Sequence, residues 1–143
     1  MKMLKHRGRH LHFLFLFMKQ INTYITEKLK ISKNNTSYTL FPETTEELDK
    51  MVATEIANKG PNCSLNHIDV SGLEDLSYVF SNTKFNGDIS EWDVSNVTCM
   101  RRMFKGSKFN GDISKWDVSN VNDMRGMFDK CPLQNNPPKW YKE

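Results

Sequence analysis

The sequence predicts an α/β solenoid of 24-residue units with a helical cap before them, and three observations predict it. Two consecutive segments, 85–108 and 109–132, are identical at 16 of 24 positions. Each segment contains a short run typical of a strand, followed by apolar residues at helical spacing. An amphipathic helix pattern precedes the repeats. Recurrence at a fixed period is the sequence signature of proteins built from stacked units.

Each unit is predicted to contain a turn, an extended stretch and a short helix. Asn86-Gly87 favours a turn because it tolerates positive φ, and residues 89–94 alternate as a strand does. Ser95 stands at a helix N-cap position, and residues 97–104 have the apolar spacing of a short helix. A helix of two turns does not persist alone in water, so the units are expected to stack and to pair their strands. The expected core consists of Phe85, Ile89, Trp92, Val94, Val97, Met100, Met103, Phe104, Phe109, Ile113, Trp116, Val118, Val121, Met124, Met127 and Phe128.

The repeat pattern extends in both directions, so that residues 65–143 form the predicted repeat region. Residues 65–84 align as a divergent unit, and residues 133–143 as a partial one. Residues 38–64 are predicted to form a capping strand and helix. Thr44 and Glu47 have the spacing of a capping box, which predicts a helix over 45–58 that ends at a Gly-Pro pair.

The N-terminal region differs from the rest in charge. Residues 1–33 hold eight Lys or Arg and one Glu, so their formal charge is +7, and the total of +3 leaves −4 for the remainder. Residues 1–17 form a basic and apolar extension with three interpretations: a translated segment upstream of a start at Met18, an atypical secretory signal, or a functional basic tail. Residues 18–37 are predicted to form an amphipathic helix and a linker.

The three cysteines, Cys63, Cys99 and Cys131, have no regular spacing. An odd number without a CxxC pair favours reduced structural thiols over a disulfide framework or a zinc site. One bridge from Cys131 to either of the others remains open for an oxidising compartment. A cytoplasmic location is favoured over a secreted one, because no cleavage site follows the apolar run.

The pattern FNGDIS-x-WDVSNV-x-x-M-x-x-MF resembles the repeat of the BspA-like leucine-rich-repeat family, also described as the domain of unknown function common in mycoplasma surface lipoproteins. Residues 65–132 carry the resemblance. It implies a short right-handed leucine-rich-repeat-like solenoid. For surface members it also implies adhesion or binding to host proteins, which makes an adhesin-like protein of the BspA type the alternative function.

The sequence carries no motif of an enzyme, such as G-x-S-x-G, a P-loop or HExxH. The recurrent carboxylates Asp88, Asp112, Asp93 and Asp117 are interpreted as turn and cap residues rather than as calcium ligands. The first expectation is a non-enzymatic protein–protein interaction module without cofactor, metal or transmembrane segment, and nucleic-acid binding is not expected. Specificity is placed at a candidate interaction surface where units differ or carry basic residues: Glu91, Thr98, Arg101, Arg102, Lys105, Lys115, Asn122, Asp123, Arg125 and Asp129.

Overall fold

The computed structural model describes residue 20 and residues 38–142. Its contacts divide the chain into two units, Met1–Ser37 and Tyr38–Glu143. The extension and the amphipathic helix predicted within residues 1–37 therefore lie outside the described residues, Gln20 excepted. The repeats and the segment before them lie in the described part.

An α-helix, α1 (Thr45–Lys59), precedes the repeats. It begins after Thr44, whose hydroxyl oxygen accepts a hydrogen bond from the backbone N–H of Glu47 at 3.2 Å and so satisfies one free donor of the first turn. It ends at Gly60, whose φ of 88° lies in a region that favours glycine. Leu48 is buried against the repeat core. The helix predicted over 45–58 is therefore present and extends to Lys59.

The predicted α/β solenoid is wrong. Within residues 38–142, α1 is the one α-helix and no strand forms. Parallel pairing there is limited to four isolated bridges, of which Leu40 with Ile68 replaces the predicted capping strand. A short 3-10 helix spans Pro132–Gln134. The units, here numbered 1 (65–84), 2 (85–108) and 3 (109–132), are built from successive tight turns instead.

The stretch predicted as a strand, residues 89–94, is folded into a turn. The backbone N–H of Trp92 donates to the carbonyl of Ile89 at 3.2 Å. Asp88 stabilises this geometry, because its carboxylate accepts from the backbone N–H of Ser90 at 2.9 Å and from its hydroxyl at 2.7 Å. Such side-chain bonds compete with a regular ladder, so the local alternation of apolar residues does not become a strand.

The helix predicted over 97–104 is also absent. Ser95, which the sequence places at its N-cap, donates its hydroxyl to the Asp93 carboxylate at 2.6 Å. Arg102 has a φ of 53°, and a left-handed residue interrupts a right-handed helix. The backbone N–H of Arg102 donates to the carbonyl of Arg125 in unit 3 at 3.1 Å. The backbone bonds of this segment therefore join units instead of closing helical turns.

Backbone hydrogen bonds join the units at a constant register. Unit 2 donates from Met100 to Asp123 at 2.8 Å and from Phe104 to Met127 at 3.0 Å. Unit 1 bonds to unit 2 in the same pattern, through the N–H groups of Leu76, Tyr78, Phe80 and Asn82. Because the donors are alternate residues, their N–H groups all point toward the later unit. The peptide dipoles at these positions are consequently parallel.

Aromatic columns fill the interior between the units. The ring of Phe104 stacks on Phe80 at 5.5 Å and on Phe128 at 5.8 Å between centroids. Each tryptophan also donates its indole N–H to a carbonyl 27 residues earlier, as Trp116 does to Ile89 at 3.2 Å. These contacts bury apolar rings and satisfy the indole donors together.

The expected core residues fall into two groups. Thirteen are buried: Phe85, Ile89, Trp92, Val94, Val97, Met100, Met103, Phe104, Phe109, Ile113, Trp116, Met127 and Phe128. Three are half-buried: Val118, Val121 and Met124. All three half-buried residues belong to unit 3, against which the described residues place only the segment 133–142, through Trp140 and Tyr141.

Gly87 has a different role from the predicted one. Neither Asn86 nor Gly87 is among the residues with positive φ, so the turn does not need glycine for its backbone conformation. A Cβ built at Gly87 would instead overlap the carbonyl oxygen of Cys63. Glycine is required there because two backbone segments approach closely.

Candidate protein interaction surface

The candidate interaction surface divides into two parts in the structure. Glu91 in unit 2 and Lys115 at the equivalent position of unit 3 form the first part, and both are exposed. The other positions lie in the turn segments 98–105 and 122–129, which are neighbours through the inter-unit backbone bonds. These are Thr98, Arg101, Arg102, Lys105, Asn122, Asp123, Arg125 and Asp129.

The most prominent feature of the second part is a contact between an arginine and an exposed tyrosine. Arg102 donates from Nη1 to the Tyr78 hydroxyl at 3.3 Å, and its guanidinium carbon lies 6.0 Å from the centre of the Tyr78 ring. Tyr78 is 46% exposed and is the one large exposed apolar side chain of residues 38–142. The distance is at the outer limit of a cation–π contact. Tyr78, Arg101, Arg102 and Lys105 are called the Tyr78–Arg102 face below.

Tyr78 was missing from the candidate surface derived from the sequence. Unit 1 is divergent, and the candidate surface positions were placed only in units 2 and 3. The register that places Leu76 against Met100 also places Tyr78 against Arg102 and Gly126. This 24-residue spacing is the signal that would have included Tyr78.

These three aligned positions share a left-handed backbone. The φ angles are 64° at Tyr78, 53° at Arg102 and 65° at Gly126. Glycine adopts this conformation without steric cost, whereas a bulky residue there is an outlier. Unit 3 thus has the residue that the backbone prefers, and units 1 and 2 have large side chains that meet each other on the surface.

Charge on this side of the molecule is concentrated in unit 2. Arg125 of unit 3 is paired with Asp123, donating from Nη2 at 2.7 Å and from Nε at 2.9 Å. These hydrogen bonds, with the nearby charge of Arg101, hold the pKa of the Asp123 carboxyl well below its usual range. Within residues 38–142, Arg101, Arg102 and Lys105 form no salt bridge. The Tyr78–Arg102 face therefore carries cations whose charge no local carboxylate pairs directly.

The first part of the candidate surface is smaller and differs in charge. Glu91 and Lys115 line a shallow recess of about 140 Å³ together with Asp88, Ser90 and Asp112. Hydrogen bonds from Ser90 lower the pKa of the Asp88 carboxyl. The Asp88 carboxylate therefore stabilises its own turn by accepting these hydrogen bonds.

A polar cluster that the sequence did not indicate lies where α1 meets unit 1. The Glu55 carboxylate accepts from Lys59 Nζ at 2.5 Å, and His67 Nε2 lies 3.0 Å from the same oxygen. The angle at His67 does not satisfy a hydrogen bond, so this nitrogen has no hydrogen-bond partner within residues 38–142. Burial raises the pKa of the nearby Cys63 thiol, and a raised pKa disfavours the thiolate nucleophile. The cluster consequently acts as a contact between α1 and the repeats.

The remaining candidate groups serve local structure. The three cysteines are free thiols, with Cys131 buried. In the part of the chain that the structure describes, no group of three His, Cys, Asp or Glu side chains converges as metal ligands would. In the same part, no helix has both the length and the apolar character needed to cross a bilayer.

Residues 46–142 match the sequence profile of a family described as Mycoplasma protein of unknown function, DUF285. The match covers more than half of the chain, so the protein belongs to this family. No curated protein matches the chain, and no solved structure matches it either.

The assignment to a BspA-like leucine-rich-repeat family is therefore corrected. The family that matches is DUF285, and the turns described above do not have the strand and helix that a leucine-rich repeat requires. The repeated FNGDIS and WDVSNV segments carried the resemblance. Their Asp-x-Ser sequences form turns closed by side-chain bonds, as Asp93 and Ser95 do.

Proposed function

We propose that residues 38–142 act as a non-enzymatic protein-binding module, whose Tyr78–Arg102 face contacts the partner. The observation that carries the proposal is the left-handed backbone at Tyr78 and Arg102, where Gly126 occupies the equivalent position of unit 3. A bulky residue with positive φ costs about 1–2 kcal/mol relative to a right-handed conformation. Strain of this kind is concentrated at functional sites, and at these two positions the side chains also contact each other across the units.

The chemistry of the face supports a protein partner. Tyrosine and arginine are enriched among the residues that contribute most to protein–protein binding. The ring of Tyr78 offers apolar area together with a hydroxyl, and Arg102 offers a planar donor group. Arg101 and Lys105 extend the face with positive charge, which favours a partner with acidic side chains.

The variant Arg102→Gly tests the proposal, because it removes the side chain and relieves the backbone. We expect its melting temperature to equal or exceed that of the wild type, while binding to the partner weakens at least ~10-fold, the loss of one contact worth about 1.4 kcal/mol. Lys130→Gly is the matched control. Lys130 has a φ of 54° at the position that Gly106 occupies in unit 2. The control therefore also replaces a basic residue of left-handed conformation with glycine.

Affinity capture with wild-type and variant chains, followed by quantitative mass spectrometry, provides the measurement. A protein captured by the wild type and by Lys130→Gly, but lost with Arg102→Gly, supports the proposed face. If every protein captured by the wild type is also captured by Arg102→Gly, the Tyr78–Arg102 face is not the binding surface. A fall in the melting temperature of Arg102→Gly would show that the side chain is needed for folding.

A further inference from the structure

The outer side of unit 3 carries a row of backbone donors that have no acceptor among residues 38–142. In unit 2, four alternate N–H groups donate to carbonyls of unit 3 at distances between 2.7 and 3.1 Å. They belong to Met100, Arg102, Phe104 and Gly106. The equivalent donors of unit 3 belong to Met124, Gly126 and Phe128. No residue within 38–142 accepts a hydrogen bond from these three groups, whereas the next donor, Lys130, reaches the side-chain oxygen of Gln134 at 2.9 Å.

The direction of these donors makes this edge electropositive. Because the peptides are parallel through the three units, the N–H ends of their dipoles point out of unit 3. Aligned peptide dipoles place partial positive charge at the end where N–H groups are free. Gly126 adds a left-handed residue, with a φ of 65°.

Half-buried apolar side chains lie beside the donor row. Val118, Val121 and Met124 are half-buried, although their counterparts in unit 2, namely Val94, Val97 and Met100, are 0–1% exposed. Together with Trp140 and Lys142 they line a groove of about 430 Å³. Unit 3 covers the counterparts in unit 2. The groove therefore corresponds to the surface of unit 2 that the backbone of unit 3 covers.

We propose that this edge binds an extended, acidic segment of a partner protein. Carbonyl oxygens of the segment accept from Met124 and Gly126, as the carbonyls of unit 3 do for unit 2, whereas Phe128 is 2% exposed and lies under the Tyr141 ring. An apolar side chain of the segment enters the groove beside Val121, and an acidic one meets Lys142. Addition of an extended segment to an open backbone edge is a recurring mode of peptide recognition. This surface adjoins the Tyr78–Arg102 face, since a Cβ at Gly126 would lie 3.3 Å from Arg102 Cγ, but its donors and its groove belong to unit 3.

Amide hydrogen exchange measured by NMR on the full chain tests the proposal. In the free protein, the amides of Met124 and Gly126 should exchange at least about tenfold faster than those of Met100 and Arg102, because only the latter pair is hydrogen-bonded. The probe is a short peptide of alternating Val and Glu, which should slow exchange at Met124 and Gly126 and leave the unit 2 amides unchanged. A peptide of alternating Val and Lys is the control and should not bind.

The variant Lys142→Glu reverses the proposed charge contact. It should weaken binding of the Glu peptide at least about threefold and improve binding of the Lys peptide, whereas Lys84→Glu, the same charge reversal at an exposed lysine of unit 1, should change neither. Three results would overturn the proposal. In the first, the amides of Met124 and Gly126 are protected at all protein concentrations without peptide. In the second, their protection grows with protein concentration, which would indicate that a second copy of the chain binds there. In the third, the Glu peptide perturbs Arg102 instead of Met124 and Gly126.

Discussion

Removal of the Trp116 side chain should destabilise the repeat region severely. Trp116 is 5% exposed, and its ring packs at 6.4 Å from Phe104 and from Trp140. Replacing a buried tryptophan with alanine costs about 3–5 kcal/mol through lost burial and the cavity that remains. The carbonyl of Ile89 also loses its indole donor at 3.2 Å. A domain of this size has a free energy of unfolding of about 5–15 kcal/mol, so the variant should lose a large share of it.

The structure offers a matched control in Trp140. This side chain makes the same bond, from its indole N–H to Ile113 at 2.9 Å, and stacks on Trp116, but it is half-buried. Because folding buries less of the Trp140 side chain than of Trp116, Trp140→Ala should lower the free energy of unfolding by only about 1–2 kcal/mol. Trp116→Phe keeps most of the ring and removes the hydrogen bond, which should cost about 1–2 kcal/mol.

Urea denaturation followed by circular dichroism measures all three variants against the wild type. The expected order of lost free energy places Trp116→Ala clearly above the other two. The reasoning is refuted if Trp116→Ala and Trp140→Ala lose equal free energy, because burial would then not determine the effect. If Trp116→Phe loses as much as Trp116→Ala, the hydrogen bond rather than ring packing would dominate.

Three further outcomes can be checked by the same denaturation measurements. Gly87→Ala should destabilise the protein by at least about 2 kcal/mol, because its Cβ would overlap the Cys63 carbonyl; a melting temperature equal to the wild type would contradict this. Thr44→Ala should cost about 1 kcal/mol through loss of the N-cap of α1, and unchanged stability would show that the cap contributes nothing. Hydrogen bonds from Ser90 lower the pKa of Asp88 below that of the unfolded chain. The stabilising contribution of the ionised Asp88 carboxylate is therefore present above the unfolded pKa and lost as pH falls through the lower folded pKa. Asp88→Asn should make the free energy of unfolding fall less steeply below about pH 4. A variant with the same pH profile as the wild type would refute this assignment.

The periodicity in the sequence identified the register of the repeats and the residues that could pack together. The 24-residue repeat is evident in the amino-acid sequence. The hydrogen bonds between units recur at this interval, and the stacked rings of Phe80 and Phe104 are 24 residues apart. The start of α1 was also predictable, because an N-cap hydroxyl acts on donors only a few residues away. Both features depend on local order along the chain.

The conformation within each unit was not predictable from the same pattern. Apolar residues at 97, 100, 103 and 104 fit a helix, yet Arg102 has a left-handed φ and its N–H bonds to another unit. A period in the sequence shows which residues face inward, and several backbone conformations present the same face. The repeated motif correctly predicted a domain of unknown function found in mycoplasmas, whereas its assignment to BspA-like leucine-rich repeats was wrong.

The candidate surfaces show the same division. Sequence comparison between units identified Arg102 as variable, but the contact with Tyr78 depends on the two units lying side by side in three dimensions. The donor row of Met124 and Gly126 is invisible in the sequence, because every residue other than proline has a backbone N–H. The repeat interval, α1 and the apolar positions could be predicted because they depend on residue type and spacing. Which backbone groups within residues 38–142 are hydrogen-bonded to a neighbouring unit depends on the tertiary fold, because these bonds join residues that are distant along the chain.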